Sequence, residues 1–87
     1  MANLLKTTLA ASATSSILTP AAAAIVVVAA ELPVAVDCDL DGAGTWKQVS
    51  KDNAASGNET MELATFGQRL RVRNLSTSPN KVCVDER

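Results

Sequence analysis

The sequence predicts an all-β fold, a small antiparallel β-sandwich or barrel of about seven or eight short strands. Three observations carry this: a β-branched run inside the most apolar stretch, strict apolar/polar alternation in two later segments, and clusters of turn formers between them. β-Branched side chains are stiff at χ1 and suit a pleated surface. Alternation at period two marks a strand with two unlike faces.

The apolar stretch covers residues 21–38 and contains Ile25, Val26, Val27 and Val28. Pro20 and Pro33 bracket it and forbid a long helix. The expectation is a central hairpin, two strands meeting near residues 31–33. A membrane helix needs about 20 apolar residues, and Pro20 and Glu31 cut this run short of that.

The other elements follow in order. Residues 3–9 read as a first strand, followed by a Ser/Thr-rich link and a short strand at residues 16–19. The whole chain is expected to form one β domain, with residues 1–19 as an N-terminal arm or edge strand. Residues 1–24 superficially resemble a secretory signal, but Lys6 and a Thr/Ser-rich run break the apolar core such a signal needs. From residue 32 to 40 the pattern alternates, with Val34, Val36, Cys38 and Leu40 on one face and Asp37 and Asp39 on the other. This predicts a half-buried strand with an acidic outer face. Asp41-Gly-Ala-Gly44 supplies a tight turn, and residues 45–49 return as the second arm of a hairpin anchored by Trp46. Residues 50–58 form the longest and most mobile loop. Residues 60–65 resume strand character with Met61 and Leu63 inward, and Gly67 bends the chain. Leu70 and Val72 then alternate with Arg69, Arg71 and Arg73, and residues 81–84 close the fold.

Composition bounds the function. A chain of 87 residues buries only about 60 to 65% of its unfolded surface. Of its 41 hydrophobic residues 15 are Ala, with one Trp, one Phe and no Tyr, which predicts a meagre core that gains from docking on something larger. The net charge of −1 divides into +1 over residues 1–30, −5 over residues 31–62 and +3 over residues 63–87. No basic excess with stacking aromatics points to nucleic acid. The absence of His removes the commonest general base and metal ligand, and no Ser or Thr has an adjacent base to activate it. The expectation is no enzyme, no cofactor and no membrane span.

Two cysteines, Cys38 and Cys83, are too few and too far apart for a zinc ribbon or a redox pair. Their face parities differ, so a disulfide between them is not expected. Asp37, Asp39 and Asp41, followed by Gly42, match the opening of a calcium loop. The rest of that loop departs: Gln48 stands where the bidentate Glu belongs, and the flanks read as strands. Asn58-Glu-Thr60 and Asn74-Leu-Ser76 match a glycosylation sequon, a pattern that chance supplies readily in a chain rich in Ser and Thr. Arg69, Arg71 and Arg73 lie about 7 Å apart on one strand face. They can pair with Asp37, Asp39 and Glu62 on neighbouring strands or with a partner subunit.

The strand Ala24-Ile-Val-Val-Val28, the hairpin Asp41-Gly-Ala-Gly-Thr-Trp46, the strand Gly67-Gln-Arg-Leu-Arg-Val-Arg-Asn74 and the closing Val82-Cys-Val84 together resemble small β-sandwich virion proteins of tailed bacteriophages, the decoration or cement proteins of the head. The resemblance implies a structural role in the virion, homo-oligomers bound to major capsid or other virion subunits, and no catalytic residues. A tail, neck or fibre component is the alternative within that class. A secreted β module binding calcium through Asp37, Asp39 and Asp41 is the alternative outside it. On the virion reading at least one of Arg69, Arg71 and Arg73 contacts another subunit, and charge reversal at Arg71 weakens assembly while sparing the fold. If reversal unfolds the domain instead, the row is an internal ladder and the interface falls to the uncharged residues 7–24.

Overall fold

The computed structural model describes residues 2–20, 24–40, 42–50, 60–65 and 68–87. Seven strands run through them: β1 (Ala2–Leu9), β2 (Ala24–Ala30), β3 (Val34–Asp39), β4 (Trp46–Gln48), β5 (Thr60–Thr65), β6 (Arg69–Asn74) and β7 (Asn80–Glu86). They form two antiparallel sheets, ordered β1-β7-β2-β5 and β4-β3-β6. The β-sandwich expected from strand count and alternation is the architecture of the chain.

Valine builds the core. Val26, Val28 and Ala30 of β2 with Val82 and Val84 of β7 face Val34, Val36 and Cys38 of β3 with Leu70 and Val72 of β6. Leu9 and Leu18 close the cluster, and Leu4, Leu5, Met61 and Leu63 flank it half-buried. Met61 and Leu63 thus lie on the inward face that alternation assigned them. Among the alanines whose side chains are described only Ala30 and Ala35 are buried, so most of these lie outside the core.

The central hairpin does not form. β2 pairs with β7 and β5, whereas β3 pairs with β4 and β6 in the other sheet. Residues 31–33 arch between the sheets, so the valines of β2 and β3 meet across the core instead of lying side by side. The expected strand at residues 16–19 also falls away, leaving isolated bridges from Thr14 to Arg73 and from Leu18 to Leu70. Ser15 explains the interruption: its Oγ accepts the Val72 N–H at 2.9 Å, a bond that a ladder carbonyl would otherwise take. Leu40, expected inward, is exposed, because the strand ends at Asp39 and the chain turns through Gly42 (φ 73°) and Gly44 (φ 91°). Positive φ is accessible to glycine without steric cost. Of the expected long loop only Ser50 lies within the described residues, and Gly67, Asp41 and Asn58 lie outside them.

Two buried asparagines fasten one end of the sandwich. Asn80 donates from Nδ2 to the Leu32 carbonyl (2.9 Å) and to Asn74 Oδ1 (3.2 Å), and its Oδ1 accepts the Leu32 N–H (3.0 Å). Asn74 Nδ2 donates to the carbonyls of Ala10 (2.9 Å) and Ser78 (3.0 Å), and its Oδ1 also accepts the Ser76 N–H (3.0 Å). The segments that follow β1, β2 and β6 are therefore tied through two side chains. Buried polar groups hold a fold in this way only when their bonding capacity is met. Asn74, the acceptor residue of one sequon, is committed to this network and shielded from modification.

Candidate interaction face

The outer face of the β4-β3-β6 sheet gathers most of the sequence-predicted site residues. In register, Asp39 stands between Trp46 and Arg69, and Asp37 between Gln48 and Arg71. Arg73 lies opposite Ala35. All three arginines on β6 lean across the central strand toward β4. Arg69 Nε donates to Asp39 Oδ2 at 3.1 Å, its Nη2 contacts the same oxygen, and Asp39 also accepts the Gly44 N–H at 3.2 Å, which pins the glycine turn. Arg71 Nε donates to Asp37 Oδ2 at 2.9 Å. Arg73 Nε lies 2.8 Å from that oxygen with its N–H turned off the line, an ion contact without a directed hydrogen bond. Its Nη2 donates to Gln48 Oε1 at 2.6 Å. The Arg71 guanidinium carbon sits 4.5 Å from the Trp46 ring centroid and that of Arg69 at 5.9 Å.

This geometry corrects the acidic outer face. Asp37 and Asp39 point away from the valine core, as alternation requires, yet they are only 3% and 1% exposed. Every residue of β3 is buried, not half of them. The arginine stems and Trp46 roof the two carboxylates, while the arginine side chains keep 31 to 37% of their own surface in water. A buried carboxylate is tolerable only when paired, and β6 supplies the pairs. Glu62 belongs to the other sheet, where Arg87 Nη1 approaches it at 3.3 Å. The row therefore pairs within the chain while still presenting its outer guanidinium edges, and reversal at Arg71 tests the fold before it tests any interface.

Three cations face two carboxylates, which leaves the face with a local excess of positive charge, while Lys47, level with Cys38, projects from the opposite face of β4. The exposed guanidinium edges can accept carboxylates from outside. The calcium reading gains nothing from this arrangement. Asp37 and Asp39 turn to arginines, Asp41 lies outside the described residues, and among those described no three His, Cys, Asp or Glu side chains gather as metal ligands. The platform made by Trp46 and Arg71 was missed by sequence reading; its signal was Trp46 next to a turn that returns along an Asp-x-Asp strand.

Cys38 and Cys83 are free thiols on opposite sides of one sheet packing, Cys38 in the core and Cys83 on the outer face of β7. Burial, with the Asp39 charge, pushes the Cys38 thiol above its ordinary value of 9.0. Burial, then the hydrogen bond and charge of Asp85, push Cys83 the same way against a smaller pull from Lys6. A raised thiol binds its proton more tightly folded than unfolded, so stability holds below pH 9.0 and declines as pH rises beyond it. Alkylation by iodoacetamide at neutral pH is expected to be slower at both thiols than at a free cysteine, with melting temperature falling on the alkaline side. Wild-type labelling rates equal to those of free cysteine at pH 7 would contradict this.

Compared with protein-family models, with curated proteins and with solved structures, the chain finds no match in any of the three.

Proposed function

We propose that the chain is a structural assembly subunit, a virion protein of the phage capsid-decoration kind, that docks on acidic protein surface through the outer face of the β4-β3-β6 sheet. The observation that carries this reading is the Trp46 and arginine platform. The sole Trp lies half-buried outside the valine core, and three arginines are held beside it in fixed, partly exposed positions. Trp and Arg are the residues most often found at the energetic centres of interfaces. Side chains already ordered by internal pairing lose little further freedom on binding.

The test is co-sedimentation with purified heads of tailed bacteriophages over a range of salt. Binding should weaken between low and high salt, since exposed charge pairs are screened beyond about 10 Å at 0.1 M. Arg73→Gln leaves Asp37 its Arg71 partner, and Lys47→Glu alters an exposed side chain on the opposite face of β4, so both variants should keep the fold. Arg73→Gln should lower binding about tenfold, the loss expected from roughly 1.4 kcal/mol of interface energy, and Lys47→Glu should leave binding unchanged. No binding to any head, or binding indifferent to Arg73→Gln, would overturn the reading. Which major subunit is recovered with the chain separates a head setting from a tail, neck or fibre one.

A further inference from the structure

We propose that the four-stranded sheet continues from one copy of the chain to the next, the outer edge of β1 pairing antiparallel with the outer edge of β5 in a neighbouring copy, with Lys6 opposite Glu62. Among the described residues β1 pairs only with β7, and β5 only with β2. Open edges are usually blunted by charges, Pro or brevity. β1 is eight residues long with one charge and no Pro, and β5 is six long with one charge.

Strand direction and hydrogen-bond phase both permit the pairing. Each step from β1 through β7 and β2 to β5 is antiparallel, so β1 and β5 themselves run in opposite directions, as a continued sheet needs. The Arg87 N–H donates to the Ile25 carbonyl at 2.8 Å, and the Glu31 N–H to the Lys81 carbonyl at 3.2 Å, so odd-numbered residues near β2 turn their backbone groups toward β7. In antiparallel sheets these groups alternate between the two sides. Carried through the registers Ile25↔Ala64, Ala29↔Cys83 and Lys6↔Cys83, the alternation leaves even-numbered residues facing outward on both edges. Lys6 and Thr8 on β1, and Glu62 and Thr60 on β5, therefore turn backbone donors and acceptors outward, where no described strand pairs with them. Setting Lys6 opposite Glu62 sets Thr8 opposite Thr60, and each such pair exchanges two hydrogen bonds.

Side chains select the same register. Lys6 and Glu62 both lie on the outer face of their sheet, Lys6 level with Cys83 and Glu62 with Val27, so the contact joins opposite charges across adjoining strands. On the inner face it brings Leu5 against Leu63, two half-buried residues at the flanks of the core. A shift of one residue would reverse both faces and break the hydrogen-bond phase. Because β1 meets β5 and not itself, the contact is head-to-tail and builds a ring or filament, not a two-fold dimer. The inference is independent of the docking face, which belongs to the other sheet.

Sedimentation velocity of the full chain over a wide concentration range tests it. Wild type should grow with concentration past a dimer. Thr8→Pro removes only an outward N–H, a substitution edge strands accept, and should hold the chain as a folded monomer. Lys6→Glu should weaken association about tenfold, and Lys6→Glu with Glu62→Lys should restore it. If Thr8→Pro fails to fold by far-UV circular dichroism, the charge pair decides alone. A wild type that stays monomeric or stops at a dimer, or a Lys6→Glu chain that associates like wild type, would overturn the proposal. Loss of head binding with self-association intact would remove the docking reading and leave this one standing.

Discussion

Asn80→Asp is expected to unfold the domain near neutral pH and to recover part of its stability as the pH falls. Asn80 is wholly buried, and its amide makes three hydrogen bonds, two of them to the backbone of Leu32 in the arch that carries β2 into β3. Replacing Nδ2 by oxygen turns a donor into an acceptor facing the Leu32 carbonyl and Asn74 Oδ1. Each buried group left unpaired costs about 1 to 3 kcal/mol, and an unpaired buried carboxylate costs more. Against the roughly 5 to 15 kcal/mol that holds a whole domain, that loss is large. The sign with pH follows from the charge. Burial without a cation raises the folded-state pKa of the new carboxyl above the unfolded value of about 3.9, so the penalty is absent below that value and grows as the pH rises through the folded one. Protonation also returns one O–H donor. Asn80→Ala loses the two Nδ2 bonds and the one from the Leu32 N–H without acquiring a charge, so its deficit should not depend on pH in this range. Thermal melts of both variants between pH 3 and 8 would show the contrast; an Asn80→Asp chain melting with wild type at pH 7 would mean that the asparagines do not fasten this end of the sandwich.

Much of this fold can be read from periodicity, because alternation reports which side of a strand faces the core. It assigned Val34, Val36 and Cys38 inward and Asp37 and Asp39 outward, and set Met61 and Leu63 against the core. It does not report what covers the other side. The cover over the aspartates comes from β6, some 30 residues on, although the matching pattern of Asp-x-Asp against Arg-x-Arg-x-Arg was a signal that those strands adjoin. The hairpin that proved an arch failed for a related reason. Two apolar strands joined through Glu31, Leu32 and Pro33 carry the same local pattern whether they lie side by side or face each other, and the choice is made by β7 and β5 competing for β2. The asparagine clasp was illegible, since its members become neighbours only when three segments from distant parts of the chain converge.

Arg71→Glu is expected to destabilise the domain strongly even though the side chain it replaces is about one-third exposed. The new carboxylate would lie directly across from Asp37, which is 3% exposed and cannot turn to water. Asp37 would retain only Arg73, whose Nε–H is not directed at it. Breaking a buried ion pair by removing one partner costs about 3 to 5 kcal/mol; the partial exposure here argues for the lower end, while like-charge repulsion and the lost contact with Trp46, worth roughly 0.5 to 1 kcal/mol, push the other way. Arg71→Met separates the terms. It keeps a stem to cover Asp37 and Trp46, removes the charge and adds no repulsion, so it should fall between wild type and Arg71→Glu in urea unfolding. Asp37→Asn placed in the Arg71→Glu chain removes the opposing carboxylate and should restore part of the stability, giving a coupling of at least about 1 kcal/mol in the double-mutant cycle. Additive effects in that cycle, or an Arg71→Glu chain that unfolds at the wild-type urea concentration, would mean that solvent dissolves the ladder and that its arginines are free to serve a partner alone.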